Sequence, residues 1–209
     1  MNEYHKIQTV FLRDPDTNFK TLLEGEWAKP EFEYLAHSEW VFTEKVDGTN
    51  IRVRFDANTG IEFRGKTDNA QMPPFLLKKL QEMFLPLESQ FADMFPTGVC
   101  LYGEGYGAKI QKGGGNYRPD QGFVLFDVRI GPWWLQRDSI EDIASKLNIK
   151  VVPIIGQGTL LRMVEQARTG FMSTWGNFQA EGIVARPKIE LLDRSGHRII
   201  TKIKTKDFR

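Results

Sequence analysis

The chain has 209 residues, of which 41% are hydrophobic and 26% charged, so it can bury a core and disorder is not expected. Its 28 Lys and Arg residues nearly balance 27 Asp and Glu residues, which excludes a polybasic, histone-like protein but leaves local nucleic-acid-binding patches open. With no 18-residue apolar run, no apolar signal core at the N-terminus and a single cysteine, we expect a cytoplasmic protein that has no membrane span, internal disulfide or Cys/His zinc site.

Residues 40–56 are predicted to form two strands around a tight turn at Asp47-Gly48-Thr49. In the second strand apolar residues alternate with two arginines, which is typical of a half-buried strand: Ile51, Val53 and Phe55 against Arg52 and Arg54. A turn at Asn58-Thr59-Gly60 and a returning strand over Ile61–Arg64 follow. This region therefore begins with strands rather than with a helix.

A long amphipathic helix is predicted from Pro74 to Phe95, and Pro86 should kink or split it. Two apolar runs, Val99–Glu104 and Phe123–Arg129, are predicted to be strands, and Gly103–Gly115 is predicted to be a glycine-rich loop between them. The middle of the chain thus alternates one helical region with further strands.

Two shorter helices are predicted next. One should begin at Asp138 with a capping box closed by Glu141, and the other should cover Thr159–Thr169 and end at Gly170. A strand over Gly182–Arg186 and a hairpin over 189–205 complete the chain. Because strands cluster without strict alternation with helices, the sequence predicts an α+β fold of largely antiparallel sheets, in a single domain over residues 1–209.

The clearest candidate for chemistry is Lys45, which follows an apolar strand and precedes the Asp47-Gly48 turn. A lysine amine is a nucleophile only when it is unprotonated, and a free lysine has a pKa of about 10.4. A nucleophilic role therefore requires burial or nearby positive charge to lower the pKa of this amine. Alone, however, a four-residue K-x-D-G match is short enough to arise by chance.

Several residues elsewhere in the sequence could act together with Lys45. Lys202 and Lys204 alternate in a predicted strand, so both should point to one face, where two ammonium groups suit a triphosphate. Glu181 and Glu104 supply carboxylates beside glycines, and Phe126 supplies an aromatic ring. Taken singly, each of these is as well explained by an exposed strand face, a surface carboxylate or core packing.

The order of these motifs resembles that of the covalent nucleotidyltransferases, the superfamily of ATP-dependent polynucleotide ligases and mRNA capping enzymes. Within it, the chain is most similar to RNA ligases of the T4 RNA ligase 2-like group, in the phage-type form. The resemblance rests on six motifs: Lys45-Val46-Asp47-Gly48 followed by Thr49-Asn50, Arg64, Gly103-Glu104, Phe126-Asp127, Glu181-Gly182-Ile183-Val184 and Lys202-Ile203-Lys204. It implies a nucleotidyltransferase domain, similar to the ATP-grasp fold, without a C-terminal OB domain.

The resemblance also implies an activity: sealing of RNA 3′-OH and 5′-phosphate ends with ATP and Mg²⁺ or Mn²⁺, in the cytoplasm of the host cell if the protein is phage-encoded. Lys45 would carry AMP, Lys202 and Lys204 would contact the phosphates, and Glu181 would bind the metal. The remaining nucleotide contacts would come from Glu44, Val46, Asn50, Arg64, Glu104 and Phe126. A DNA or RNA/DNA hybrid nick ligase, or an inactive nucleotide- or RNA-binding module, remain the alternatives.

RNA would need cations beyond this set. The loop from Lys109 to Arg118 combines Lys109, Lys112, Arg118, an aromatic and glycines, a mixture typical of backbone contacts and base stacking. Residues 186–209, which begin with Arg186, carry eight Lys and Arg against three acids, a net charge of +5. Arg186 stands where many relatives have lysine. The loop and the basic tail are therefore the two predicted RNA contacts, although a solvated strand face also explains the tail.

Overall fold

The computed structural model of the chain describes residues 3–208. In chain order, the strands are β1 (Gln8–Thr9), β2 (Phe11–Arg13), β3 (Leu22–Trp27), β4 (Trp40–Glu44), β5 (Thr49–Asp56), β6 (Gly60–Arg64), β7 (Val99–Gly107), β8 (Gln121–Ile130), β9 (Trp133–Trp134), β10 (Lys150–Val151), β11 (Ile154–Gly158), β12 (Gly182–Pro187) and β13 (Thr201–Lys204). The helices are α1 (Pro30–Tyr34), α2 (Pro74–Phe84), α3 (Glu88–Met94), α4 (Arg137–Lys146) and α5 (Leu160–Thr169). Within residues 3–208 no helix has the length and apolar character needed to cross a membrane.

The chain divides into two compact units. The first contains Asp47–Val152 together with the N-terminal residues up to Tyr4, and the second contains His5–Val46 and Pro153–Arg209. Most strand pairs in both units are antiparallel, the exceptions being β1 with β13 and β10 with β8. The predicted α+β class with largely antiparallel sheets is therefore confirmed.

The first unit is a six-stranded sheet with strand order β10-β8-β7-β5-β6, in which β9 pairs with β8. Helices α2, α3 and α4 bury their apolar side chains against one face of this sheet, forming a core that includes Leu80, Phe91, Leu101 and Ile143. As predicted, the helical region splits around Pro86, which lies in a 3₁₀ turn between α2 and α3. The opposite face carries both polar and aromatic side chains, since Glu104 and Tyr102 of β7 stand opposite Asn50 and Arg52 of β5.

The second unit is a five-stranded sheet with strand order β1-β13-β12-β4-β11, accompanied by the β2–β3 hairpin. Helix α5 packs Leu160 and Met163 into a core with Trp40, Phe42 and Ile183. The sequence signals at both ends of this helix are confirmed. Its N-cap threonine accepts a hydrogen bond from the amide of Arg162, and Gly170 ends it with a φ of 78°.

Two local predictions were wrong, and a third holds in part. Gly103 and Gly105 lie inside the buried strand β7 and not in a loop, and glycine fits there because a Cβ on Gly103 would approach the Phe123 ring to 2.2 Å. Helix α4 begins at Arg137, so the predicted cap Asp138 lies inside the helix, and Glu141 pairs with Arg137 instead. The predicted hairpin forms around the turn at 193–196, where Leu192 and Arg198 make an antiparallel bridge, but β13 pairs with β12 and not with a strand that begins near residue 189.

The alternation in β5 also differs from the expected half-buried pattern at Arg52. This side chain is 1% exposed, so β5 buries it as well as the apolar residues of the other face. The Arg52 Nε donates to the carbonyl of Gly65 at 2.8 Å, and its Nη2 pairs with Asp68 at 2.8 Å. The Arg52 hydrogen bond lowers the pKa of the Asp68 carboxyl. Arg52 is thus a buried structural cation rather than a solvent-facing one.

Candidate active site

Three ionisable side chains predicted to take part in chemistry meet in the second unit. The Lys45 Nζ donates to Glu181 Oε2 at 2.6 Å, and the Lys204 Nζ lies 2.7 Å from Glu181 Oε1. All three side chains are largely buried, with exposed fractions of 20%, 12% and 25% for Lys45, Glu181 and Lys204. One carboxylate therefore links two ammonium groups that are 159 positions apart in the sequence (204 minus 45).

The strand register explains why these residues meet. Lys45 follows β4 directly, and its amide donates to the carbonyl of Gly182 at 2.9 Å. Gly182 stands opposite Lys204 in the β12–β13 pair, immediately after Glu181. A Cβ on Gly182 would lie 2.2 Å from the Ile203 carbonyl, so only glycine allows the two strands to approach this closely.

The predicted pairing of Lys202 with Lys204 on one face is confirmed. Thr201 and Ile203 are buried, whereas Lys202 and Lys204 are half-buried on the opposite face of β13. Lys202 stands opposite Val184 in β12, and Arg186 follows Val184 two residues later on the same face. Arg186 therefore shares a sheet face with the two lysines.

Glu44, the residue before Lys45, is 1% exposed and its carboxylate is fully engaged. It accepts hydrogen bonds from the Ser173 hydroxyl, from the Thr174 amide at 2.8 Å and from the Thr174 hydroxyl at 2.7 Å. Val46, on the other side of Lys45, is also buried. These contacts fix the backbone on the N-terminal side of Lys45, and the predicted contacts of Glu44 and Val46 with an adenine stay predictions.

Strand β13 is held at its end by a second buried carboxylate. The Lys204 amide donates to Asp207 Oδ2 at 2.9 Å, and Arg13 Nη2 lies 2.8 Å from Asp207 Oδ1. Asp207 is 6% exposed. Sequence reasoning missed Asp207, Ser173 and Thr174, because nothing in the local pattern around them indicates which distant backbone they hold.

In the first unit, Asn50 and Glu104 face each other across β5 and β7. The Asn50 Nδ2 donates to Glu104 Oε2 at 2.8 Å. The turn before β5 packs closely on β7, since a Cβ on Gly48 would lie 2.3 Å from the Gly105 carbonyl. Two candidate residues are thus preorganised as a hydrogen-bonded pair directly after this turn.

The other two candidates of the first unit lie at irregular or terminal strand positions. Phe126 is half-buried at a bulge in β8, where Tyr102 pairs with Asp127 and Gly103 with Leu125. Its ring centroid is 5.1 Å from that of Tyr4. Arg64 ends β6 with 48% of its side chain exposed. The bulge explains why Phe126 departs from simple alternation, which sequence periodicity does not reveal.

The loop after β7 contacts the turn that follows the nucleophile candidate. The Tyr117 hydroxyl accepts a hydrogen bond from the Asp47 amide at 3.2 Å, and Gln111 Nε2 donates to the Gly48 carbonyl at 3.0 Å. Lys109 and Lys112 are exposed on this loop. The loop is therefore folded against the turn rather than merely flexible.

Arg118, the third loop cation, is engaged inside its own unit. Its Nε donates to Asp120 at 2.6 Å, and its guanidinium lies 5.9 Å from the centroid of the Tyr106 ring. The hydrogen bond from Arg118 lowers the pKa of the Asp120 carboxyl. Arg118 thus stabilises the loop, whereas Lys109 and Lys112 present their charges to solvent.

A metal held by protein ligands alone does not fit this arrangement. Among residues 3–208, no group of three or more His, Cys, Asp and Glu side chains is arranged to hold an ion. Glu181 offers one carboxylate, which already pairs with two lysines. A divalent cation at Glu181 would need most of its ligands from elsewhere, as Mg²⁺ commonly takes them from phosphates and water.

The fold is similar to that of solved RNA ligases from Naegleria gruberi. The enzyme with PPi matches with a TM-score of 0.65 and 19% identity, over 98% of this chain and 58% of that chain. A mutant with ATP and Mn matches with a TM-score of 0.64 and 18% identity, over 98% and 58% of the two chains. This chain thus spans a little over half the length of these structures.

Comparison with curated proteins found no match. The family model described as RNA ligase matches residues 38–204, which include every motif from Lys45 to Lys204. This match extends over most of the sequence. The chain therefore belongs to the RNA ligase family.

Proposed function

We propose that the chain is an ATP-dependent RNA ligase that joins 3′-OH and 5′-phosphate ends through lysyl-AMP and adenylylated RNA. Within the family, its Thr49-Asn50 pair and motif order favour the T4 RNA ligase 2-like group in its phage-type form. The observation that carries the proposal is the contact of Lys45 and Lys204 with the two oxygens of Glu181. A nucleophilic amine, a second cation and a carboxylate suited to a metal are thereby collected at one point.

In the first step, the Lys45 Nζ attacks the α-phosphorus of ATP, the bond to the bridging oxygen breaks, and pyrophosphate leaves. The amine has to lose its proton first, and positive charge nearby favours its neutral form. Lys202 and Lys204 supply such charge and would contact the phosphates, where dispersal of negative charge is the main requirement. The product is AMP in a phosphoramidate bond on Lys45.

Glu181 would contribute to holding Mg²⁺ or Mn²⁺ with the nucleotide. Such a cation supplies charge neutralisation on the phosphates. If Glu181 held such a cation, it would no longer stabilise the ammonium form of Lys45, which would favour the reactive amine. The presence of Mn in structures of the Naegleria enzyme with ATP supports this assignment.

The remaining nucleotide contacts are proposed from the residues that the motifs single out. Glu104 would accept a hydrogen bond from the ribose, with Asn50 holding its carboxylate in place. Phe126 would stack on the adenine, and Glu44 and Val46 would lie beside its edge. Arg64, which is half exposed, would contact the nucleotide or the RNA 5′-phosphate.

In the later steps, AMP moves from Lys45 to the RNA 5′-phosphate, and the 3′-hydroxyl then displaces AMP to form the phosphodiester. Splitting the reaction in this way converts a poor leaving group into a good one. Lys109, Lys112 and Arg186 are the cations proposed to hold the RNA backbone during these steps. The sequence also predicted Arg118 as an RNA contact. Because Arg118 pairs with Asp120, we assign it mainly a role in stabilising the loop.

Nick sealing tests the proposal against its alternatives. The protein is incubated with ATP, Mg²⁺ or Mn²⁺ and matched nicked duplexes whose broken strand is RNA or DNA, beside Lys45→Ala. Preferential sealing of RNA that depends on Lys45 supports the proposal, whereas preferential sealing of DNA supports the nick ligase. Binding of nucleotide or RNA by a folded protein that forms no lysyl-AMP supports the inactive binding module.

A further inference from the structure

Arg52 in the first unit is a buried cation that stands directly opposite another cation. It is the Cα partner of Arg64 in the β5–β6 pair, so the two side chains leave the sheet on the same face. Asn50, which is hydrogen-bonded to Glu104, lies two residues earlier on that face. Like charges that stand opposite each other destabilise a sheet, so the pair of Arg52 and Arg64 lowers stability unless other contacts offset it.

The Arg52 side chain holds the backbone that follows Arg64. Its Nε donates to the Gly65 carbonyl and its Nη2 donates to Asp68 Oδ1, both at 2.8 Å. Gly65 comes directly after Arg64, which is the last residue of β6. Asp68 is anchored as well, since its amide donates to Glu3 Oε1 at 3.1 Å. Arg52 therefore restrains the end of β6 that carries Arg64.

Burial of Arg52 is costly for the free energy of folding. The Arg52 side chain is 1% exposed, whereas that of its counter-ion Asp68 is 60% exposed. The Arg52 Nη1 is buried and has no hydrogen-bond partner among residues 3–208. Removing a guanidinium from water is unfavourable, and one exposed carboxylate beside an unsatisfied donor offsets little of that cost. An apolar side chain would avoid the cost, so the two contacts of Arg52 indicate a role in function.

Arg64, in contrast, is accessible to a ligand. Its side chain is 48% exposed, and its contact with Glu62 is long, at 3.8 Å. A guanidinium binds phosphate oxygens through two parallel N–H donors, so the strength of the contact depends on where the group is held. A misplacement of about 1 Å in a reacting complex can cost about 10²-fold in rate. The position of the end of β6 therefore determines how well Arg64 can bind a phosphate.

We propose that Arg52 is a positioning residue that sets Arg64 for contact with a phosphate group of the substrate. This role rests on the proposed ligase function, in which ATP and the RNA 5′ end both present such a group. Arg52 acts through the Gly65 carbonyl and Asp68, and it does not itself touch the substrate. A change at Arg52 should therefore weaken binding of the phosphate only while Arg64 is present.

A double-mutant cycle tests this dependence on Arg64. Arg52→Lys keeps the positive charge, but a single ammonium group cannot reproduce the planar fork that holds the Gly65 carbonyl and Asp68. It should weaken binding of a phosphate ligand about tenfold in the otherwise unchanged protein and by less than about twofold in an Arg64→Gln background. A general contribution of Arg52 to the fold would instead give the same loss in both backgrounds.

A second variant keeps the test valid if Arg52→Lys does not fold. Asp68→Ala changes an exposed side chain, keeps the amide that donates to Glu3 and removes one of the two contacts of Arg52. It should weaken binding about threefold, again only while Arg64 is present. Arg137→Lys is the matched control, because Arg137 pairs with Glu141 on α4 of the same unit. Urea unfolding of each variant shows that it is folded.

Two ligands distinguish the possible sources of the phosphate. Calorimetry with α,β-methylene-ATP and Mg²⁺ measures binding of the nucleotide without transfer of AMP. The anisotropy of a short RNA labelled with fluorescein at its 3′ end, with and without a 5′-phosphate, measures binding of the RNA end. Coupling between Arg52 and Arg64 with either ligand supports the proposal and identifies the phosphate. Because both measurements report binding, a chain that forms no lysyl-AMP would refute the ligase function while the coupling still tests Arg52.

Three results would overturn the positioning role. One is an equal loss of binding from Arg52→Lys with and without Arg64. Another is binding of both ligands by Asp68→Ala that is as tight as binding by Arg137→Lys. The third is binding of both ligands that does not depend on Arg64, since Arg52 would then have no phosphate contact to position.

Discussion

Lys45 and Glu181, which belong to the first and the fifth of the six motifs, form a 2.6 Å hydrogen bond. The same carboxylate accepts Lys204, so it connects the strand end of β4 with that of β13. A carboxylate in this position stabilises the charged amine in the resting protein, so in the proposed reaction it would have to release Lys45 before attack. The proposed role of Glu181 in the first step can therefore be tested by substitution.

Glu181→Gln is expected to reduce lysyl-AMP formation by about 10²-fold or more, because the amide can neither neutralise two lysines nor bind a divalent cation well. The measurement is the rate of label transfer from α-labelled ATP, with stability checked by urea unfolding. Glu39→Gln is the control, since Glu39 is an exposed carboxylate paired with Lys188 in the same unit. A normal rate in Glu181→Gln would remove this residue from the mechanism.

Gly48→Ala is expected to destabilise the fold by about 1–3 kcal/mol and to impair lysyl-AMP formation. The added methyl would lie 2.3 Å from the backbone oxygen of Gly105, so the turn after Val46 has to shift. Gly115→Ala is the matched change, because no atom lies within 4 Å of the position of its added Cβ. Equal stability of the two variants in urea unfolding would show that the turn does not pack as described.

The carboxylate of Glu44 should contribute stability through its hydrogen bonds. Thr174→Val removes the hydroxyl donor but keeps the amide, and should lower the free energy of unfolding by about 1–2 kcal/mol. Thr169→Val, at an exposed hydroxyl on α5, should change it by less than about 0.5 kcal/mol. The measurement is the free energy of unfolding of both variants in urea. Equal losses in the two variants would contradict the hydrogen bond from the Thr174 hydroxyl to the buried Glu44 carboxylate.

The loop cations should separate into two classes. Lys109→Ala with Lys112→Ala should weaken RNA sealing, most strongly at low salt and at RNA concentrations below saturation, and leave lysyl-AMP formation intact, because both side chains are exposed. Arg118→Ala should instead lower stability, since it removes one of the two cations that pair with Asp120 and uncovers Tyr106. Unchanged sealing by the double variant at low salt and low RNA concentration would refute the role of the loop in RNA binding.

The sequence correctly predicted the features of the fold that depend on local preferences. The turn at Asp47-Gly48, the helix break at Pro86 and the caps of α5 follow from short-range preferences of glycine, proline and threonine. The relation of Lys202 to Lys204 follows from strand periodicity alone. The motif order indicated the family, which the match over residues 38–204 now shows.

Long-range contacts lay outside what periodicity can predict. Arg52 alternates like an exposed residue but is buried, and its Nε and Nη2 donate to the Gly65 carbonyl and to Asp68. Glu44 is buried next to Lys45 because Ser173 and Thr174, about 130 residues later, supply its donors. In each case, a partner that the local sequence does not specify makes burial of a charge possible.

Mass spectrometry of the protein after incubation with ATP and Mg²⁺ or Mn²⁺ shows whether Lys45 becomes covalently linked to AMP. We predict a mass increase of one AMP, located on the peptide that carries Lys45 and absent from Lys45→Arg, which keeps a cation beside Glu181. A folded wild-type protein without the adduct, or an adduct that persists in Lys45→Arg, would show that Lys45 is not the nucleophile.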